Sequence, residues 1–205
     1  MFIFVIIMDY ELLIINHFKN KFMKNLVFIS LFFAAVALTS CGSKDPTPTP
    51  VQKIISKSWT IPIKGVGGSA ITTPVTINLS DVSGVDASNF TGGEFQTSGS
   101  SILISGLKTG TVLSNFTMQV NSNAAVNFGL VTTNPTGPND FGANEIQSGN
   151  KENTFLSSLF TAYTGKTKTA ALNITFTPNV DIVATDNVNL VLTVNGKYNW
   201  NTFPK

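Results

Sequence analysis

The chain has 205 residues, 13 basic and 11 acidic side chains, and a net charge of +2. Such a balance makes no strong field for nucleic acid or anionic lipid. Every basic residue is lysine, so the planar bidentate clamp that arginine offers phosphate is missing. The single cysteine, Cys41, permits no internal disulfide, and with one histidine, His17, there is no Cys/His set for structural zinc. We therefore expect no nucleic-acid partner and no cofactor.

The first 22 residues, MFIFVIIMDYELLIINHFKNKF, carry acidic Asp9 and Glu11 ahead of an apolar run. Secretory signals rarely begin this way. We read residues 1–22 as an extension upstream of a true start at Met23. From there Lys24 supplies a positive start, and residues 26–37, LVFISLFFAAVA, form an uncharged run of twelve. Twelve is short of the about 20 residues that cross a bilayer as a helix, but it suits the core of a signal peptide.

Leu38-Thr39-Ser40-Cys41 follows that run. It resembles a bacterial lipobox, and Gly42-Ser43-Lys44-Asp45 after it resembles the start of Bacteroidota-type outer-membrane and surface lipoproteins. The resemblance covers residues 23–45. It implies cleavage before Cys41, diacylglycerol on its thiol and anchorage in the outer membrane; the match to a surface-export signal is partial, because Pro46 stands where a second acid is usual. Two or more acyl chains anchor stably where one binds marginally. Signal peptide 23–40 is then followed by a tether, 41–52, in which PTPTP holds an extended path of about 3.1 Å per residue.

Residues 53–205 read as one domain, long enough to bury a core. Apolar residues recur with period two in seven runs. The first two place Trp59, Ile61 and Ile63 on one face, then Ile71, Val75, Ile77 and Leu79. The next pair offers Ile102 and Ile104, then Val112, Phe116, Met118 and Val120. Val126, Phe128 and Leu130 share a fifth face; Leu172, Ile174 and Phe176 a sixth. The last run carries Val188, Leu190, Leu192, Val194, Tyr198 and Trp200, with Gly196 as an expected bulge. Turn signals KGVGGS, SDVSGVD, TGGE and NPTGPND separate the runs. The expected fold is all-β, an antiparallel two-sheet β-sandwich of immunoglobulin-like class. Pro62 and Pro74, inside strand patterns, are expected on sheet edges or as first residues of their strands.

One segment breaks this period. Phe155, Leu156, Leu159, Phe160 and Tyr163 form a helical stripe, with Asn150 expected as N-cap, Glu152 suited to the helix dipole and Gly165 expected just past the end. It predicts a short amphipathic helix that plugs the sandwich.

Chemistry is sparse. The acids beyond the leader sit in turn-like contexts, where aspartate caps and bends the backbone. We expect a non-catalytic interaction or structural domain, with no enzyme activity. A hydrolase with paired carboxylates is a weaker alternative. Asp81 and Asp86 are a weak candidate for calcium, without the dense acids of an EF-hand loop. Phe141, in the polar loop 134–145, and Tyr198 and Trp200, flanked by Asn199 and Asn201, are possible ligand-binding residues of a carbohydrate-binding surface module. The competing reading places Tyr198 and Trp200 in the core, since they share the parity of the last strand. The expected partners are the membrane, through Cys41, and a glycan or an envelope protein.

Overall fold

A computed structural model describes residues 46–137 and 139–204; the leader, the lipobox and Cys41 lie outside the described residues. Among the described residues the fold is all-β and sandwich-like, with one α-helix. Its strands are β1 (Thr49–Pro62), β2 (Ile71–Asn78), β3 (Phe90–Ser105), β4 (Val112–Val120), β5 (Val126–Thr132), β6 (Phe141–Gly142), β7 (Thr169–Pro178) and β8 (Asn189–Thr202). The helix, α1, spans Asn150–Tyr163.

One sheet has three strands in the order β1-β8-β3, the other five in the order β2-β7-β4-β5-β6. All pairs are antiparallel except β5–β6, where Val131 and Thr132 pair parallel with Phe141 and Gly142. The second sheet is therefore mixed rather than wholly antiparallel. Inward residues of both sheets join in one hydrophobic cluster, from Ile61 and Leu192 to Phe116 and Phe176. Pro62 ends β1 and Pro74 lies in β2, and both strands are sheet edges, where a missing N–H costs no ladder bond.

β1 begins at Thr49, so residues 49–52 belong to the domain rather than to the expected tether; its first pairs join Thr49 to Thr202 and Pro50 to Asn201. Its early half was hidden in the sequence because Lys53 and Lys57 occupy the parity of Val51, Ile55 and Trp59. Their ammonium groups lie 5.8 Å from the ring centres of Trp200 and Trp59. Lysine stems can cover apolar surface while the heads reach water. Inward charge on a free edge also discourages a further strand from pairing.

TGGE, expected as a turn, lies inside β3. The reason is packing: a Cβ on Gly93 would stand 2.8 Å from Phe160 Cζ. Gly196 is likewise not a bulge, since β8 pairs through it with Ile55 and Phe95 in continuous register. A Cβ there would stand 2.3 Å from Phe160 Cε2. The two glycines leave a notch in which the helix seats one phenyl ring.

The parity of two runs slips. Asn115 has φ 52° and Gly129 φ 77°, and the β4–β5 register shifts around the Phe116–Gly129 pair. Leu113 and Val131 are thereby buried in place of the expected Val112 and Leu130. The Asn127 side chain accepts the Gly129 N–H at 2.7 Å, which shapes the bend.

All five stripe residues of α1 are buried. The helix touches β3 and β8 of one sheet and β4, β5 and β7 of the other. Its cap is Gly149, with Asn150 the first helical residue, so the expected N-cap moves by one. The C-cap is Thr164, whose N–H and hydroxyl both donate to Phe160 O, so Gly165 stands just past the end as expected, while the left-handed residue of this turn is Lys168.

Candidate functional site

The three aromatic candidates are core residues. Phe141 is 3 % exposed, Tyr198 0 % and Trp200 5 %. Phe141 meets Phe128 edge-on at 6.0 Å because the short parallel pairing of β6 draws it inward. Tyr198 shares a 2.7 Å hydrogen bond with the Tyr163 hydroxyl, and burial pushes both phenols above their ordinary pKa. Trp200 lies on the same inward face of β8. A ring buried in this way presents no open face to a sugar, which corrects the reading of these residues as an exposed stacking platform.

Asp81 and Asp86 are occupied by the backbone. Asp81 accepts the Asn78 N–H at 3.0 Å, closing a turn of 3-10 helix. Asp86 accepts the N–H groups of Ser88 and Asn89 and the Asn89 side-chain amide. Those bonds, the Asn89 amide first, hold its carboxyl below the usual carboxylate range. They serve as turn and capping groups. Among the described residues, no three His, Cys, Asp or Glu side chains form a metal-binding group.

The structure instead builds a cavity where the long loop meets α1. After β5 the chain turns back, and Asp140 Oδ2 accepts the N–H groups of Thr136 (3.0 Å) and Gly137 (2.7 Å). Ala143 N–H donates to Thr132 O, fixing β6 beside β5. Asn144, with φ 65°, then donates its N–H to Ile104 O and its side-chain amide to Leu107 O. Gln147 exchanges both backbone bonds with Ile102, which ties the end of the loop to β3. Three residues later α1 begins, so the loop and the first turn of the helix are held face to face.

Between them lies a space of about 250 Å³. Phe128 and Phe141 back it, but both are buried and leave little apolar surface open to the space. Asn139, Asp140 and Gln147 line it from the loop, and Asn150, Lys151 and Glu152 from the helix. The Lys151 ammonium lies 5.9 Å from the Phe128 ring centre, and Gln147 donates its side-chain amide to Gly142 O at 3.2 Å. Two carboxylates and one ammonium thus share a small space with three amides. Such a set donates and accepts hydrogen bonds in several directions without a large net charge. Loop 134–145 drew attention in the sequence, but its partner, the first turn of α1, is brought there only by the tertiary fold.

Two other surfaces are distinct. A depression of about 420 Å³ opens beside the edge strands, lined by Ile61, Pro62, Lys64, Pro74 and Val75 among others. The outer face of the five-stranded sheet carries Thr72, Thr175, Thr117 and Asn127 in one row across four strands. Asn173 and Gln119 pair in the next row, and β2, β7, β4 and β5 contain no charged residue. Compared with known protein families, curated proteins and solved structures, the chain matches none of them.

Proposed function

We propose that the chain is a lipid-anchored lipoprotein of the cell envelope, held in the outer membrane through Cys41, whose sandwich domain acts by contact rather than catalysis. The observation that carries this reading is the order of segments. An apolar run of twelve, Leu38-Thr39-Ser40-Cys41 and a proline-threonine stretch lead directly into strand β1. Lipid on Cys41 would place the first strand a few residues from the membrane. A hydroxyl- and amide-rich sheet face suits display to neutral polar surroundings, and the acids at turns suit a structural role for carboxylates. The partner is an envelope protein or a glycan.

The test is metabolic labelling with an alkynyl palmitate in the cell of origin, followed by detergent phase partition. The wild-type protein should take the label and enter the detergent phase, and Cys41→Ser should lose both properties. Mass spectrometry should find a mature chain that begins at Cys41, with nothing from residues 1–40. Unlabelled wild-type protein in the aqueous phase would reject the anchor. Protease treatment of intact cells then reports which face of the membrane carries the domain.

A further inference from the structure

We propose that the cavity between residues 139–147 and the first turn of α1 binds one neutral sugar ring, the terminal residue of a glycan. The proposal does not depend on lipid at Cys41. It moves the glycan site away from the buried Tyr198 and Trp200 and gives it a different chemistry.

The argument is by exclusion and by fit. An anion would meet two carboxylates, Asp140 and Glu152, against one ammonium, Lys151. A divalent cation would meet that ammonium, and Asp140 Oδ2 already accepts two backbone N–H groups. An apolar ligand would strip water from six polar side chains without replacing their bonds. A polyhydroxylated ring suits the set. Its hydroxyls donate to Asp140 and Glu152, and accept from the amides of Asn139 and Asn150 and from Lys151. Phe128 and Phe141 back the space but are buried, so the ring would be held by hydrogen bonds from the polar side chains rather than by stacking. The volume of about 250 Å³ is below the ~300–1,000 Å³ of pockets for drug-sized ligands, so it suits one ring rather than an oligomer. The walls are preorganised: the loop is tied by Asp140, Asn144 and Gln147, and the helix by its buried stripe.

The full-length protein, labelled with nitrogen-15 in micelles of a non-glycoside detergent, is titrated with the methyl glycosides of glucose, galactose, mannose and N-acetylglucosamine. At least one should shift the backbone amides of Gln147, Asn150, Lys151 and Glu152 along a saturable curve. Asn150→Ala should weaken that binding about threefold, and Glu152→Gln about tenfold, as expected for loss of a neutral and a charge-assisted hydrogen bond. Melting curves of both variants establish that they are folded, and either one alone suffices. The proposal is overturned if none of the four glycosides gives saturable shifts at these amides, if the shifts map elsewhere, or if both folded variants bind as wild type. Shifts caused by calcium chloride and by no glycoside would overturn it as well. None of these outcomes touches the palmitate result, so the anchor and the pocket stand or fall separately.

Discussion

Gly196→Ala tests the notch that seats the helix. The substitution adds one methyl group to the inward face of the central strand β8. Its ideal position lies 2.3 Å from Phe160 Cε2 and 3.1 Å from both Phe160 Cζ and Tyr198 Cε2. Carbon atoms in good contact stand about 3.5–4.0 Å apart, so the closest overlap exceeds about 1 Å. Phe160 has little room to yield. It is 2 % exposed, with Tyr163 and Tyr198 ring centres at 5.5 Å and Phe95 at 6.2 Å. Overpacking of this kind costs about 1–3 kcal/mol. Alanine would otherwise improve a strand interior by about 0.5–1 kcal/mol. The clash wins, and the net loss is roughly 1–2 kcal/mol. For a domain of this size that lowers the melting temperature by roughly 2–8 °C. Urea unfolding followed by tryptophan fluorescence measures it, because Trp59 and Trp200 both adjoin the core. Phe160→Leu in the same chain should recover part of the loss, so that the two changes together cost less than their sum. A Gly196→Ala protein as stable as wild type, or more so, would refute the seating of Phe160 on that glycine.

The buried tyrosine pair makes stability fall at high pH. Both phenols have raised folded pKa values, so their contribution is complete below the ordinary tyrosine value of about 10 and is lost as pH rises past it. With both unfolded phenols ionised and both folded ones neutral, the loss approaches about 2.7 kcal/mol per pH unit; Tyr163→Phe should roughly halve the slope, and a slope unaltered in that variant would contradict the pairing. Ser100 is 1 % exposed and bridges the β3 irregularity, donating to Gln96 O at 2.7 Å and accepting the Asn195 N–H at 2.9 Å. Ser100→Ala should cost about 1–3 kcal/mol in a denaturant titration and speed hydrogen exchange at the Asn195 amide, and unchanged exchange would argue against the bridge. Replacing both Lys53 and Lys57 by valine removes the inward charges from the free β1 edge. Size-exclusion chromatography over a range of concentrations should then show self-association absent from the wild type.

Local periodicity made most strands and the helix legible. The period-two runs locate seven of the eight strands at least in part, and the stripe from Phe155 to Tyr163 is buried at every position. Both prolines mark edge strands, since a residue without an N–H cannot hold a central ladder. What escaped had its cause at a distance in the chain. Gly93 and Gly196 look like breaks until Phe160 is seen against them, more than thirty residues away from Gly196 in one direction and further still from Gly93. Asn115, left out of the ladder, and Gly129, paired with Phe116, sit where the β4–β5 register shifts, so Val131 and Leu113 replace Leu130 and Val112 in the core.

The candidate site divides in the same way. Residue order alone determined an all-β domain, because strands are read from consecutive side chains, and it gave the expectation of a leader and a cysteine junction; the expected tether 41–52 is cut short by β1, which takes residues 49–52. The tertiary structure alone decided which aromatic rings are spent on the core. Phe141 sits in a polar loop, yet it is buried because two residues of parallel pairing draw it beside Phe128. That same pairing, with the Gln147–Ile102 bridge, brings the loop carboxylate Asp140 and the helix carboxylate Glu152 to one cavity. A cavity is a meeting of segments, and its lining follows from long-range backbone bonds that no local pattern encodes.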